Sequence, residues 1–398
     1  MAKVHVLGIA AKRFKGRAFG EQNSYLRGLV RIARRMRMRA YVFSPLDIDP
    51  SRRRVRAWVW TRQGWRKAWQ PLPTVVHDRM WGLDPQARER YEQALAVLRD
   101  ELGIPVFNPD FGTKYDVHQT LAAKAELKPH IPETHPFAPD ALWELSLRYP
   151  SLYIKPARGR QGKGIYRLVR RGQSYYVTYR VGKVGAQTKK FSSYEGALAV
   201  LSRAARQDPY IVQQGLNLVR LRGGTVDVRA IVQRDGTGAW RVSAVGCRIG
   251  PPGGFVSNLH AGGRAVGLPA LLRRLPKKAN PKTLRRRIET LALTTAEALG
   301  EVYPTLGEIG LDVGIDRDGR LWILEVNRQP GRSLFARARL RKAWMLTRRR
   351  VVLYALFLSR QHRPLQAAVT PSSALAAGKE DSVPVSSHSP SPYDAKDR

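Results

Sequence analysis

The stretch Glu308 to Gly331, EIGLDVGIDRDGRLWILEVNRQPG, permits few folds. Two apolar, β-prone runs, Leu311 to Ile315 and Leu321 to Val326, flank Arg317-Asp318-Gly319-Arg320. Asp-Gly between such runs predicts an antiparallel hairpin. Alternation puts Glu325 and Asn327 on one face of their strand, and Asp312 on the partner strand can meet them across the ladder. Two carboxylates and an amide oxygen on one sheet face make a hard, all-oxygen site of the kind Mg²⁺ takes, waters and substrate phosphates completing its shell. Pro330-Gly331 then stops the strand abruptly. Taken alone, the segment also reads as an edge hairpin with solvated acids. Its setting in an arginine-dominated chain argues for the metal-site reading.

That setting is extreme. The 398 residues carry 70 Lys and Arg against 31 Asp and Glu, a net charge of +39. The tail from Arg363 onward is balanced in charge, so the excess belongs to the part that folds. Arginines cluster at 31–39, 52–56, 285–287 and 348–350. Such a charge favours polyanions: nucleic acid, acidic polymers, an anionic membrane or an acidic protein layer. A composition biased toward arginine without any such partner is the competing reading, because no stripe of aromatics interleaves the clusters along the sequence. No window reaches the ~18 apolar residues of a membrane-spanning helix. The N-terminus lacks the apolar core and cleavage site of a secretory signal. Cys247 stands alone, which excludes an intramolecular disulfide and suits a reducing, cytoplasmic setting.

Residues 1 to about 110 read as a small α/β domain with an open, mainly parallel sheet. Strands are expected at Val4–Ala10, Ala40–Ser44, Thr74–His77 and Pro105–Asn108. Helices are expected at Tyr25–Met36 and Pro85–Leu102. Val55–Trp60 and Trp65–Trp69 predict a hairpin around Arg62-Gln63-Gly64, its tryptophans serving mainly in packing. Lys114 to Leu127 is a helix with Thr113 as its cap, and Lys114 and Asp116 at its start can serve a phosphate or only the helix terminus. Leu152-Tyr153-Ile154-Lys155-Pro156 is a strand ending in lysine. The loop that follows, Arg158-Gly159-Arg160-Gln161-Gly162-Lys163-Gly164, is glycine-rich and basic. Backbone N–H groups of such a loop can approach phosphate oxygens while its side chains neutralise charge. The alternative is a plain basic turn. The loop is neither a Walker A motif nor a dinucleotide fingerprint, because Gly-Lys-Ser/Thr is absent and a strand, Ile165–Val169, follows it.

Ser174–Val181 is a strand, Glu195–Ala205 a helix, and Val226–Gln233 an alternating strand that returns over Trp240–Ile249. Asp227 and Arg229 share a face. Pro251 to Gly263 is a long loop with convergent polar groups, Asn258 and His260 among them, of the kind that serves as lid or substrate binder. His260 is a candidate base or simply a hydrogen-bonding residue. Leu284–Leu299 is a helix ended by Gly300. Ser333 is expected to cap a helix reaching Thr347, with a further helical stretch over Arg350–Gln361. The Ser-, Pro- and Ala-rich remainder, 363–398, reads as a disordered tail.

In order along the chain, the lysine strand, the Gly-rich cover, the D-x-R strand, the polar loop and Asp312…Glu325-x-Asn327-x-x-Pro330-Gly331 resemble the ATP-grasp ligases. The pieces PTVVHDRMW, KYDVHQTL, YIKPARGRQGKGI, YIVQQGL, DVRAIVQ, SNLHAGG and EVNRQPG look most like the endospore-coat-associated branch, the YheC/YheD family. The resemblance implies an α/β (α+β) chain: an N-terminal open-sheet pre-ATP-grasp domain (1–110), then an ATP-grasp domain (111–362) with lobes 111–212 and 213–362. It implies ATP and Mg²⁺, the metal on Asp312, Glu325 and Asn327. The nucleotide would meet Lys114, Lys155, Arg158, Gly159, Gln161, Gly162, Lys163 and Gly164, with adenine seated against Gln213, Gln214, Gly215 and Leu216. Most of the family has a glutamate near Gln213. Related amino-acid ligases often place an arginine two residues before the metal Asp, where this chain has Gly310, which would shift substrate phosphate handling to Arg229 or another basic residue. Asn258 and His260 would border the acceptor.

The implied activity is ATP-dependent joining of a carboxylate to an amine, in the cytoplasm or in association with the spore coat. A non-catalytic scaffold that binds acidic spore-coat components through its charge is the rival reading. A nucleic-acid binder is a third, resting on charge alone and predicting steep salt dependence with little response to Mg·ATP.

Overall fold

The computed structural model describes residues 4–14, 19–49, 51–159, 163–181, 185–206, 208–254, 257, 259, 262–273 and 280–361. Three sheets organise these residues.

The first sheet contains β1 (Val6–Ala10), β2 (Arg39–Phe43), β3 (Ile48–Asp49), β4 (Arg54–Thr61), β5 (Gly64–Pro71), β6 (Val75–Asp78) and β7 (Val106–Phe107). Its order is β3-β4-β2-β1-β6-β7, with β5 added to β4. β1 pairs in parallel with β2 and β6, and β6 with β7. β1 is buried at all five positions, as expected of a parallel strand covered on both faces. Helix α1 (Asn23–Arg35) turns Leu26, Leu29, Val30 and Ala33 to one side of it. Helix α2 (Pro85–Ala96) begins at Asp84, whose carboxylate accepts from Ala87 N–H at 2.8 Å, and continues over Val97–Glu101 as a wider-wound turn.

The second sheet runs β12-β11-β10-β9-β13-β8: β8 (Thr134–Pro136), β9 (Ser151–Pro156), β10 (Tyr166–Arg171), β11 (Ser174–Val181), β12 (Gly185–Phe191) and β13 (Tyr210–Gln214). It is antiparallel throughout. Helices α4 (Pro139–Arg148) and α5 (Tyr194–Ala204) cover one face, sharing a core with Leu152, Ile154, Leu168 and Val177. Helix α3 (Lys114–Ala122) leads into this sheet, and Thr113 with Asp116 forms a reciprocal capping box at its start. Asp116 is therefore committed to the helix terminus rather than to a ligand.

The third sheet runs β17-β16-β15-β18-β19, with β14 added to β15. Its strands are β14 (Arg220–Leu221), β15 (Gly224–Arg234), β16 (Trp240–Ile249), β17 (Arg264–Gly267), β18 (Glu308–Ile315) and β19 (Leu321–Asn327). Helix α6 (Leu268–Leu272) and the long α7 (Pro281–Val302) lie over it, Ile288, Ala292 and Leu299 meeting Val228, Ala230 and Leu311. The predicted Asp-Gly hairpin is the β18–β19 pair, with Gly319 at φ +78° supplying the left-handed turn residue.

Two expectations are corrected. Gly300 does not end α7, which runs on to Val302; its missing side chain instead admits Trp240, whose Nε1 would lie 2.9 Å from an added Cβ. Nor does one helix run from Ser333 to Thr347. A short α8 (Ser333–Arg337) stops and α9 (Arg341–Gln361) restarts as one helix through the boundary expected near Arg350. Arg339, at φ +56°, makes the break. Ser333 lies inside α8, where Arg332 holds the cap position.

α9 returns to the first sheet. Val351, Val352, Tyr354 and Ala355 join the core of Leu7, Ile9 and α1. At this junction Glu308 is buried among Arg79, Arg332, His77 and Gln233. Asn108 ties β7 to β18, its Oδ1 accepting from Gly307 and Glu308 N–H at 2.9 Å each. The first sheet thereby holds the hairpin in place.

Candidate nucleotide and metal site

The second and third sheets face each other across a cavity of about 300 Å³. Strand pairing explains why charged residues collect there. Arg229 on β15 is opposite Asp312 on β18, which is opposite Glu325 on β19. One step along β15, Asp227 is opposite Arg248 on β16. With side chains alternating along each strand, these residues share one sheet face in two adjacent cross-strand rows.

The two rows form a linked ion network. Arg229 donates to both oxygens of Asp312, at 2.7 Å through Nη2. Arg248 donates to Asp227 through Nε at 2.7 Å and Nη2 at 2.9 Å, and also reaches Asp312 at 2.8 Å. The Ser257 hydroxyl donates to Asp227. All four ionic residues are buried. Burial alone would raise the Asp312 carboxyl; Arg229 and Arg248 outweigh it and hold the group down at about 2. Burial would likewise lower the Arg248 guanidinium, but Asp227 and Asp312 raise it. Such pairs are retained because removing one member strands the other in a poorly solvated place.

Facing these rows, β9 and α3 present two lysines. Lys155 Nζ donates to Gln213 Oε1 at 2.6 Å, and Gln213 Nε2 donates on to Thr134 at 2.9 Å. Burial pushes the Lys155 ammonium down to about 8, against the pull of Glu325. Lys114 Nζ donates to the carbonyls of Pro156 and Gly159 at 3.1 Å each, and lies 3.8 Å from Glu325 Oε1.

Of the predicted site residues, Lys114, Lys155, Gly159, Lys163, Gln213, Gln214, Leu216, Asp312 and Glu325 line this one cavity. Gly215 lies against β9, where an added Cβ would meet Ser151 Oγ at 2.1 Å. Gly164 (φ +68°) packs under Tyr210 and Pro156. Arg158 turns away to Asp110, at 2.8 Å. Arg229 reaches the cavity through Asp312. Gln161, Gly162, Asn258 and His260 lie outside the described residues.

Asn327 is opposite Gly310, and its Nδ2 is buried with no hydrogen-bond partner. That unpaired N–H calls for an acceptor such as a phosphate oxygen, and leaves the amide oxygen as the atom a cation could take. Among the described residues no three His, Cys, Asp or Glu side chains converge as a metal cage. The donor set is two carboxylates and an amide, all offering oxygen. That fits Mg²⁺, which completes its shell with water and phosphate.

Sequence reasoning missed Arg248, Tyr153, Arg167 and Arg220, which also line the cavity. Tyr153 and Arg167 are paired on β9 and β10, so alternation from Lys155 points to both. Arg248 is legible only once the β15–β16 register is known.

Three sheets in this order, with a cavity between the second and third, define an ATP-grasp protein. The chain belongs to the YheC/D-like ATP-grasp family, whose sequence pattern matches residues 103–358. It is 28% identical over 359 residues to the endospore coat-associated protein YheD of Bacillus subtilis (strain 168), covering 89% of this chain and 78% of YheD. Among solved structures, the VanG D-Ala:D-Ser ligase of Enterococcus faecalis superposes with a TM-score of 0.52 at 14% identity, over 89% of this chain and 100% of the ligase. The ATP-grasp ligase PsnB, complexed with a phosphomimetic variant of its minimal precursor, Mg and ADP, superposes with a TM-score of 0.51 at 14% identity, over 89% of this chain and 98% of PsnB.

Proposed function

We propose that the protein is an ATP-dependent carboxylate–amine ligase acting through an acyl phosphate. The observation that carries this reading is the gathering of Lys114, Lys155, Lys163, Asp312 and Glu325 around one cavity. Residues 1–110 would form a separate domain and 111–362 the two lobes that enclose the nucleotide.

Lys155 and Lys114 would neutralise the phosphate chain, with Lys163 and the backbone around Gly159 closing over it. Gln213, Gln214 and Leu216 would seat the base, and Tyr153 would wall it. Asp312, Glu325 and Asn327 would hold Mg²⁺, which when bound neutralises charge on the phosphate oxygens. A substrate carboxylate oxygen then bonds to the γ-phosphorus as the bond to the bridging oxygen breaks and ADP leaves. An amine nitrogen bonds to the acyl carbon, phosphate leaves, and the nitrogen gives up a proton. Arg229 and Arg248 would steady the negative oxygens through both steps, and Asn258 and His260 would border the acceptor. Catalysis of this kind is mostly positioning and electrostatics.

One observation favours a second reading, a coat-associated scaffold that retains the fold without ligation. Both oxygens of Asp312 are already engaged by Arg229 and Arg248. Titrating Mg·ATP into the protein by calorimetry separates the two readings. A ligase binds it, more weakly as Lys155→Ala or Glu325→Ala, and then releases ADP with a suitable acceptor. No binding at millimolar nucleotide would leave the scaffold.

A further inference from the structure

Far from the cavity, the first 72 residues carry eighteen Lys and Arg against three Asp and Glu. Where these cations sit is set by two elements. On α1, Arg27, Arg31, Arg34 and Arg35 recur every three or four residues opposite the buried Leu26, Leu29 and Ala33, so they form one face. On the β4–β5 ribbon the pairing is Arg54 with Pro71, Arg56 with Trp69, Trp58 with Lys67 and Trp60 with Trp65. These positions share a parity, so a single ribbon face carries both cations and aromatics; Trp58, Trp60 and Trp65 pack partly against the core and Trp69 stands exposed. Along the sequence the two types already interleave between Arg52 and Trp69, and the strand pairing shows which of them share a face.

The two elements are stitched together by guanidinium–indole contacts. Arg13 lies 4.0 Å over the Trp58 ring, and Arg27 and Arg31 lie 5.4 and 5.9 Å from the Trp60 ring. Arg34 donates to the Trp60 carbonyl at 3.3 Å. Trp69 is 40% exposed. Among the described residues, the ion pairs on this face are Lys67–Asp47 and Arg52–Asp49, so most of its positive charge has no acidic neighbour.

We infer that α1 and the β4–β5 ribbon form a docking surface for single-stranded nucleic acid. Arginines spaced along one helix face match a backbone of regularly spaced phosphates. The exposed Trp69 ring and the guanidinium planes laid over Trp58 and Trp60 match unpaired bases, which stack on both. An acidic polypeptide would use the cations but leave the exposed ring and the stacked guanidinium planes without a counterpart. A charged rim that only guards the edge strand β5 would bind neither. The surface depends on none of the nucleotide-site residues, so this inference stands apart from the ligase reading.

The test is fluorescence anisotropy of a labelled 20-residue oligothymidylate and its oligouridylate counterpart with the full-length protein, beside a polyglutamate of equal length. The oligonucleotides are expected to bind at least tenfold more tightly than polyglutamate. Their affinity is expected to fall roughly a hundredfold between 50 and 200 mM salt. Arg31→Glu/Arg56→Glu is expected to weaken binding more than tenfold and flatten the salt slope, and Trp69→Ala several-fold with the slope unchanged. Circular dichroism and urea unfolding check that the variants fold. Polyglutamate binding as tightly as the oligonucleotides, oligonucleotide binding indifferent to these substitutions, or no binding at 50 mM salt would each overturn the inference.

Discussion

Lys155 and Gln213, on neighbouring strands β9 and β13, are joined by a 2.6 Å hydrogen bond in which the ammonium donates to a neutral amide oxygen. A glutamate in that place would hold the lysine's charge and compete with phosphate for it. The amide positions the lysine without neutralising it, and burial brings the ammonium down to about 8. Protonated Lys155 is the form that attracts a polyphosphate. Mg·ATP affinity is therefore expected to be constant below pH 7 and to fall by up to tenfold per pH unit above about 8. Lys155→Arg should remove that dependence, because guanidinium keeps its proton. Calorimetry at pH 7, 8 and 9 measures it, and a flat wild-type profile would contradict it.

Asp312 anchors two buried guanidiniums. Asp312→Asn keeps the shape but leaves Arg229 and Arg248 short of a counter-charge. Stability is expected to drop by about 3–5 kcal/mol, the usual consequence of breaking a buried pair from one side. Urea unfolding at neutral pH reads it. A loss under 1 kcal/mol would show that water reaches the network.

Much of this site could be read from the chain because its signals are local. Asp318-Gly319 marks the hairpin, Thr113 caps the helix that begins with Lys114, and Lys155-Pro156 ends a strand before a run of glycines. Arg248 could not be read because its place depends on register. A bulge between Ile231 and Val232 shifts the β15–β16 pairing by one residue, so counting back from the turn at Asp235 gives the wrong partner. The region 128–150 offered no strong periodicity, and β8 and α4 within it were missed. The break before α9 escaped notice because an arginine, not a glycine, takes the left-handed conformation there.

The Glu308 cluster predicts acid lability. Burial lowers His77 from 6.5 to about 4. Between those values the unfolded chain binds a proton that the folded protein refuses, so stability falls as pH drops through this window. Glu308 is held at about 2: burial would raise it, but Arg332 and Arg79, with His77 3.7 Å away, prevail. Its contribution is present above 4.5 and is lost as pH falls toward 2. The His77 step is worth about 3 kcal/mol. Urea midpoints should decline from pH 6.5 to 4.5 in the wild type and less steeply in His77→Gln, where His118, lowered by its own burial, still contributes.

The family resemblance often sets an arginine two residues before the metal aspartate, where this chain has Gly310, and the packing here leaves no room for one. An added Cβ there would lie 2.6 Å from Pro330 Cβ and 3.5 Å from Arg229 Cδ. The proline ring cannot swing aside, and the space above the glycine is filled by the Arg229 stem reaching across to Asp312. Gly310→Ala is accordingly expected to cost about 1–3 kcal/mol through overpacking and to push Arg229 off Asp312. Restoring the family's arrangement takes two changes, Gly310→Arg with Arg229→Ala, and Pro330 would still obstruct it. The double variant should therefore unfold at lower urea than either parent, which chemical denaturation of the four proteins of the cycle would measure. A double variant as stable as the wild type would mean that Pro330 yields and that the two arginine positions are interchangeable.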